Sequence, residues 1–360
     1  MTRPVFIADT ALLCARGESP AAAASALWNG DCKAGQRKIG ERTFPYFGLP
    51  LEATDWMRRA EQAIGHIGNQ LGQPAPETPL FIASSSFQIG HFEQMGAPFD
   101  LPLAAASFSR QIGDWLGLSG ANYSLSNACI SGFSALDAAR GLIGAGLIDD
   151  AIVLGVELVN DSTLAGFAAM ELLSRTSGRP FDAHRDGMVL GEAVAAVRLS
   201  ATPATWRIAG LHTGLDGYST TGPNPDGSRI ADVVVNCLNE ANLKAADIEL
   251  IKLQAAGSPG TDLAEANALR SVFGQNLPPL LSLKSTLGHT LGASGVAELA
   301  TLLACLDADK VPATAGFTRV DPEIALFPMV ERSTAHIQRA LLNLIGFGGG
   351  LASLIVERTR

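Results

Sequence analysis

The chain is poor in charge and has no excess of positive charge. Only 17% of its 360 residues are Asp, Glu, Lys or Arg, and the formal net charge is -9. A general nucleic-acid binder needs a basic face, so that class is excluded as the main function. Long apolar runs are also missing: no stretch reaches the roughly 18 uninterrupted apolar residues of a membrane span. Cysteine is sparse and unpaired. The five cysteines, at 14, 32, 129, 237 and 305, are odd in number and form no Cys-x-x-Cys pair. That spacing fits neither a disulfide framework nor a zinc site, and it points to reduced thiols in a cytoplasmic protein. No secretory leader is expected. The apolar run Val5 to Cys14 follows Arg3, but Asp9 interrupts it and no small-residue cleavage site follows. Leu13 is wrong before a lipoprotein cysteine, so the run reads as a first buried strand.

What is present is material for a core. The composition is 47% hydrophobic with 38 glycines, which suits an α/β protein of one large or two ordinary domains. Strands are expected at Pro4–Leu13, Pro79–Ser84, Ala121–Leu125, Ala151–Glu157 and, as a glycine-broken pair, Met188–Leu199. Helical spacing marks Ser19–Trp28, capped by Ser19-Pro20, then Asp55–Leu71 and Ala104–Leu118. Gly30–Pro50 reads as irregular and Phe87–Pro102 as loop. Ser200–Thr205 is the best linker. Beyond it the alternation repeats, with strands at Trp206–Thr213, Ile248–Gln254 and Leu280–Leu283. Helices follow at Ile230–Ala241, Asp262–Phe273 and Ser294–Leu306, and a hairpin closes the chain at Arg339–Gly346 and Leu351–Glu357. Alternating strands and helices in both halves imply layered α/β architecture.

The most informative stretch is Ser126-Asn127-Ala128-Cys129-Ile130-Ser131-Gly132, between the strand Ala121–Leu125 and a long helix. Cys129 is expected at a strand-to-helix turn, where free N–H groups and the helix dipole lower a thiol pKa. A lone cysteine is more often a small buried hydrophobe, so the turn is what singles it out. His66, His91, His184, His212 and His336 show no metal spacing. Gly346, Gly348 and Gly349 lack the following helix that a phosphate or dinucleotide loop requires.

Four segments, in order, resemble the β-ketoacyl-acyl-carrier-protein synthases that elongate fatty acids and polyketides. They are Asn127–Gly132, the run Arg179-Pro180-Phe181-Asp182 through Gly191-Glu192, Lys284-Ser285-Thr286-Leu287-Gly288-His289, and Gly346-Phe347-Gly348-Gly349. The resemblance implies a thiolase-like α/β fold of two βαβαβ halves in a five-layer αβαβα arrangement. Residues 1–200 would carry the nucleophilic cysteine, and 201–360 the lysine, the histidine and the glycine-rich turn. It implies Cys129 as nucleophile, with His289 and Lys284 as catalytic groups. The N–H groups of Cys129 and Phe347 would form the oxyanion hole, and the Phe347 ring reads either as core packing or as the family's gate to the acyl pocket. Lys284 has a second reading, as a structural group holding Glu298 or another carboxylate. Asp182, Arg185 and Asp186 read as structural, fixing the loop beneath the site.

No cofactor is implied, the substrates riding on the phosphopantetheine of acyl carrier protein. Implied partners are that carrier and a second ketosynthase, in a homodimer or heterodimer. Arg58-Arg59 is one exposed basic candidate for carrier docking. One departure bears on the chemistry: the family places a histidine after the strand Ile248–Gln254, and here Gln254-Ala255-Ala256-Gly257-Ser258 puts Ala256 in its place. Gly350-Leu351 also replaces a typical Thr-Asn. The expected function is decarboxylative condensation of a Cys129-bound acyl group with malonyl-carrier protein. The alternatives are a non-condensing, chain-length-factor-like partner subunit and a Cys129-dependent acyltransferase. A thiolase is disfavoured, since no second cysteine lies near the glycine turn.

Overall fold

A computed structural model describes residues 3–359. The first half runs β1 (Phe6–Cys14), α1 (Pro20–Trp28), β2 (Gly35–Ile39), β3 (Arg42–Phe47), α2 (Trp56–Gln70), β4 (Leu80–Ala83), α3 (Ile89–Met95), α4 (Leu101–Leu116), β5 (Asn122–Leu125), α5 (Ser131–Gly144), β6 (Asp150–Glu157), α6 (Asp161–Ala169), β7 (Leu190–Gly191) and β8 (Ala193–Ser200). The second runs β9 (Trp206–Leu215), α7 (Ser228–Ala241), β10 (Leu250–Lys252), α8 (Pro259–Phe273), β11 (Leu280–Leu281), α9 (Lys284–Leu287), α10 (Ser294–Asp307), β12 (Lys310–Val311), β13 (Ser333–Thr334), β14 (Arg339–Ile345) and β15 (Gly350–Arg358).

Ten strands form one sheet in the order β11-β10-β14-β15-β9-β1-β8-β6-β4-β5. If the five sheet strands of each half are counted from its own start, both halves read 3-2-4-5-1. The sense of pairing repeats too: β4 is parallel to β5 and β6, and β10 to β11 and β14. The fourth strand of each half then pairs antiparallel with the fifth. Within the sheet the halves join through a short antiparallel contact, Phe6 opposite Arg207 and Ile7 opposite Trp206.

The layers follow from the period of two along each strand, which sends alternate side chains to opposite faces. On β1, β6 and β8, Leu12, Val153, Ala195 and Val197 face the central core, where Phe133 and Leu136 of α5 and Val296, Leu299 and Leu303 of α10 lie. Their alternates Leu13, Ile152, Leu154 and Ala196 face α2 and α4 through Ile64, Ile67, Phe108 and Ile112. The second half does the same, with Leu342 and Leu354 turned to the centre and Leu341 and Ile355 turned to α7 and α8. Helices α5 and α10 therefore fill the middle of an αβαβα stack. Nearly every residue of α10 is buried, as a helix packed on all sides must be.

Three expectations fail locally. The stretch 30–50 is not irregular: β2 and β3 form a hairpin, with Gly35 opposite Tyr46. Its first strand, Gly35–Ile39, has no buried residue, so it carries no core-facing alternation to read. Within 87–102, α3 makes two turns and stops at Gly96 in the left-handed conformation, too short to show a period. Finally, the strand over 248–254 shrinks to Leu250–Lys252. Among the described residues no helix is long and apolar enough to cross a membrane.

Candidate active site

The turn between β5 and α5 is held by one hydroxyl. Ser131 Oγ accepts from the N–H of Asn127 at 2.7 Å and donates to Ala128 O at 2.7 Å. Between them Ala128 takes φ 45, a left-handed conformation that costs a non-glycine residue about 1–2 kcal/mol. That strain lifts Cys129 to the start of α5. Gly132, one turn on, allows α5 to reach α10: a Cβ there would come within 3.1 Å of the Gly295 Cα.

Cys129 is 5% exposed, and its Sγ lies 3.1 Å from His289 Nε2. The imidazole is fixed on its other side by Ser294 Oγ, 3.0 Å from Nδ1. The His289 backbone is held by the end of the Arg179–Glu192 run: its N–H donates to Val189 O at 2.7 Å, and its carbonyl accepts from Gly191 at 3.0 Å. That run is a scaffold. Asp182 accepts from the N–H groups of His184, Thr318 and Arg319, Arg185 pairs with Asp321, and Asp186 accepts from Ser174 Oγ. Phe347 arrives from the turn between β14 and β15 and lines the same cavity as Cys129, where its backbone favours the thiolate. Its ring stacks on Phe167 with centroids 5.2 Å apart.

The thiol is not acidified. Burial pushes Cys129 up to about 11, and the hydrogen bond from Phe347 and the Lys284 charge pull the other way without overcoming it. The expectation of a lowered pKa is therefore corrected: a helix end favours thiolate, but a desolvated site disfavours any charge by more. Burial also drives His289 down to about 3, and the Lys284 charge adds to it. At neutral pH the pair rests as thiol and neutral imidazole.

Lys284 lies close enough to act on both charges, yet its ammonium is bound to Glu298. The same carboxylate takes Lys252 Nζ at 2.5 Å, and Lys252 also donates to Asn343 O at 2.8 Å. Burial works against ionised Glu298, but the two lysines win and hold its pKa below the usual range. Lys252, by contrast, is brought down to about 8 by burial. It was not anticipated. A lysine inside the otherwise apolar run Leu250–Leu253 is the signal that could have found it.

Glu157, at the end of β6, was also missed. It accepts from the N–H of Ser85 at 2.9 Å and of Gly292 at 3.0 Å, and from the hydroxyls of Ser85 and Ser86. Burial still raises its pKa against those hydrogen bonds. It ties the end of β4 to the turn that leads from His289 into α10.

Ala256 lies in an apolar cluster with Cys129, Met188, Leu190, Leu291 and Phe347, where it supplies no polar atom. Its loop is nonetheless rigid. Glu265 accepts from the N–H groups of Gln254 at 2.7 Å and Ala255 at 2.9 Å, and Asp262 from those of Ala256 and Gly257, both at 3.2 Å. The cavity at the thiol is small, about 20 Å³, and lined by Cys129, Met188, Gln254, Ala256, His289 and Phe347 among others. A cleft of about 820 Å³ around Arg16, Arg37, Tyr46, Arg59 and Glu192 contains none of Cys129, His289 or Phe347. Size alone would point there; the candidate site is the one where the thiol and the imidazole meet. Arg59 is also withdrawn from carrier docking, since its guanidinium is buried on Glu192 at 2.7 Å and donates to Leu49 and Leu51 carbonyls. Arg58 remains exposed.

Against known families, residues 67–203 match the β-ketoacyl synthase N-terminal domain and residues 206–318 the C-terminal domain. A 3-oxoacyl-[acyl-carrier-protein] synthase 2 of Mycobacterium bovis is 34% identical over 241 residues, which are 62% of this chain and 58% of the relative. The chain thus spans under two thirds of the length of that relative. A protein of the same name from Staphylococcus aureus is 29% identical over 297 residues, 76% of this chain and 72% of its own. Among solved structures, a chain of the ketosynthase ApeO in complex with its chain length factor ApeC, from Xenorhabdus doucetiae, superposes with a TM-score of 0.89. It shares 23% identity over 99% of this chain and 98% of its own, a likeness of fold.

Proposed function

The chain belongs to the β-ketoacyl synthase family, and on that premise we propose that it works in fatty acid or polyketide biosynthesis as a condensing acyltransferase. Cys129 takes an acyl group from the phosphopantetheine thioester of acyl carrier protein. The acyl-enzyme then condenses with malonyl-carrier protein by a decarboxylative Claisen reaction. One observation carries the reading: Cys129 Sγ stands 3.1 Å from His289 Nε2 in a cavity that Phe347 also lines.

Because thiol and imidazole rest neutral, the sulfur does not attack as a preformed thiolate. Its proton passes to His289 Nε2 as the S–C bond forms. The departing pantetheine sulfur takes that proton back, so thioester exchanges for thioester and charge does not accumulate. The N–H groups of Cys129 and Phe347 are the proposed donors to the tetrahedral oxyanion, each worth about 3 kcal/mol. Lys284, anchored on Glu298, acts through its field: it disfavours protonated His289 and favours negative charge near Cys129. No cofactor enters the scheme, and the setting is cytoplasmic. Among the described residues the outer edge of β5 pairs with no strand, which suits a second ketosynthase, identical or different, completing the sheet there.

Ala256 favours a second reading, in which the chain loads Cys129 or shapes a partner's acyl cavity without condensing. Incubation with acyl-carrier protein, intact mass of the Cys129 adduct and then addition of malonyl-carrier protein separates the two. No adduct sinks acyl transfer. An adduct that never elongates, in a chain that copurifies with a complete synthase, makes it the partner subunit.

A further inference from the structure

The cavity at the thiol contains one polar group that neither the fold nor the Cys129–His289 pair uses. Gln254 is 3% exposed and lines that cavity with Cys129, Ala256 and His289. Its backbone is occupied, the N–H donating to Glu265 Oε1 at 2.7 Å. Its side-chain Oε1 is buried and has no hydrogen-bond partner. An unpartnered buried amide costs about 1–3 kcal/mol, so such a group persists where something outside the chain completes it. The apolar neighbours Met188 and Ala256 offer no partner.

The space fits a small polar occupant. A cavity of about 20 Å³ is enough for a single water, or for one oxygen atom of a ligand that enters from the rim. Of the residues lining the cavity, Thr221, Gly222, Ser258 and Thr261 reach solvent, so small and hydroxyl-bearing residues form its opening. A carboxamide turns about its last bond between two states, and so presents either its oxygen or its NH2 to the same point. Its anchor does not move with it. Glu265 holds the N–H groups of both Gln254 and Ala255, and is itself met by Asn343 Nδ2 at 3.3 Å.

We propose that Gln254 is the second hydrogen-bonding group of this site: its Nε2–H donates to the carbonyl oxygen of a carrier-bound malonyl thioester seated beside Cys129, on the side where Ala256 has no donor. The proposal rests on the carrier-thioester reading above. When the malonyl carboxylate leaves as CO2, the electron pair of the broken bond becomes an enolate with charge on that oxygen, and the carboxamide holds it. The enolate carbon then attacks the acyl carbonyl on Cys129. The new carbon–carbon bond forms as the carbon–sulfur bond breaks, the sulfur leaves as thiolate, and one proton taken up from water restores the thiol.

The test is binding of malonamoyl-pantetheine, with a stable amide in place of the thioester, to the full chain and to Gln254→Leu, Gln254→Glu and the double variant Gln254→Leu/Ala256→His. Calorimetry is expected to show Gln254→Leu at least tenfold weaker, about 1.4 kcal/mol. Gln254→Glu is expected to be weaker still, since an ionised carboxylate offers no donor to the carbonyl. A histidine at 256 is expected to restore binding to within about threefold of the parent chain. Gln254→Met replaces the leucine variant if that one melts early. Unchanged affinity in the apolar variants overturns the proposal, as does a parent chain that does not bind the probe. A loss that Ala256→His fails to restore assigns Gln254 a merely structural role and overturns it as well. The Cys129 adduct is read separately by mass. A missing adduct beside Gln254-dependent binding refutes the acyl transfer and leaves this inference standing.

Discussion

In the first half, the turn after the third sheet strand, β5, carries Cys129 into α5. In the second half, the turn after the third sheet strand, β11, carries Lys284 and His289 into α10. The two helices then meet glycine to glycine, with Gly132 against the Gly295 backbone and a Cβ on Gly295 coming within 3.1 Å of Phe133 N. Equal topology thus delivers two turns to one point, and the difference lies in what each is built to hold. The first turn is short, and a single serine hydroxyl and a left-handed alanine shape it. The second is longer, contains α9, and buries a histidine and a lysine whose charge is balanced from α10. The turns after the second sheet strands differ likewise. Ser85 and Ser86 are bound by Glu157 from β6, whereas Gln254–Gly257 are bound by Glu265 and Asp262 from α8. Division of labour between matched halves lets one side present a thiol while the other manages charge.

That comparison breaks most completely at the shared centre. Cys129→Ala is expected to abolish the acyl adduct, and His289→Ala to slow its formation by about 10²–10⁴-fold, read by intact mass against time. Next comes the thiol itself. With Cys129 near 11, its alkylation by iodoacetamide is expected to rise about tenfold per pH unit from pH 7 to 10 without a plateau, because the thiolate fraction does. A plateau below pH 8 would mean that the helix end, not burial, sets the pKa. On the charge-holding side, Glu298→Gln leaves two buried lysines without their carboxylate. The expected loss is about 3–5 kcal/mol in urea unfolding, partly recovered by adding Lys252→Met. At the seam, Gly132→Ala is expected to cost about 1–3 kcal/mol, since backbone rather than a flexible side chain blocks the added methyl. The smallest effect is expected from Ser131→Ala, about 1 kcal/mol, with slower acylation as the Cys129 turn loosens.

Much of this was legible in the residues. Continuous apolar runs gave away β4 and β6, and Ser19-Pro20 and Asp55 marked helix starts whose side chains do cap Ala22 and Arg58. The β2–β3 hairpin was not, because a strand with no buried residue has no face to betray it. Arg59 was misread for the opposite reason. Beside Arg58 it looks like half of a solvated pair, yet one step along a helix turns a side chain through about 100°, here from solvent onto Glu192. The repeat of strand order also escaped the sequence. Topology is conserved between the halves by backbone pairing, which many different side chains satisfy.

The sequence by itself determined the layered α/β alternation, the placement of Cys129 at a strand-to-helix turn, and the absence of a histidine at 256. Local patterns suffice for each, because strand period, helix capping and residue identity do not depend on distant neighbours. Only the tertiary structure decided that Sγ meets His289 Nε2, that Lys252 and Lys284 share Glu298, and that Gln254 lines the thiol's cavity with an unpartnered Oε1. It also reversed the sign of the expected thiol pKa. Proximity between residues 160 positions apart and the loss of water around them are properties of the packed whole, and desolvation, unlike a helix dipole, cannot be read from one segment.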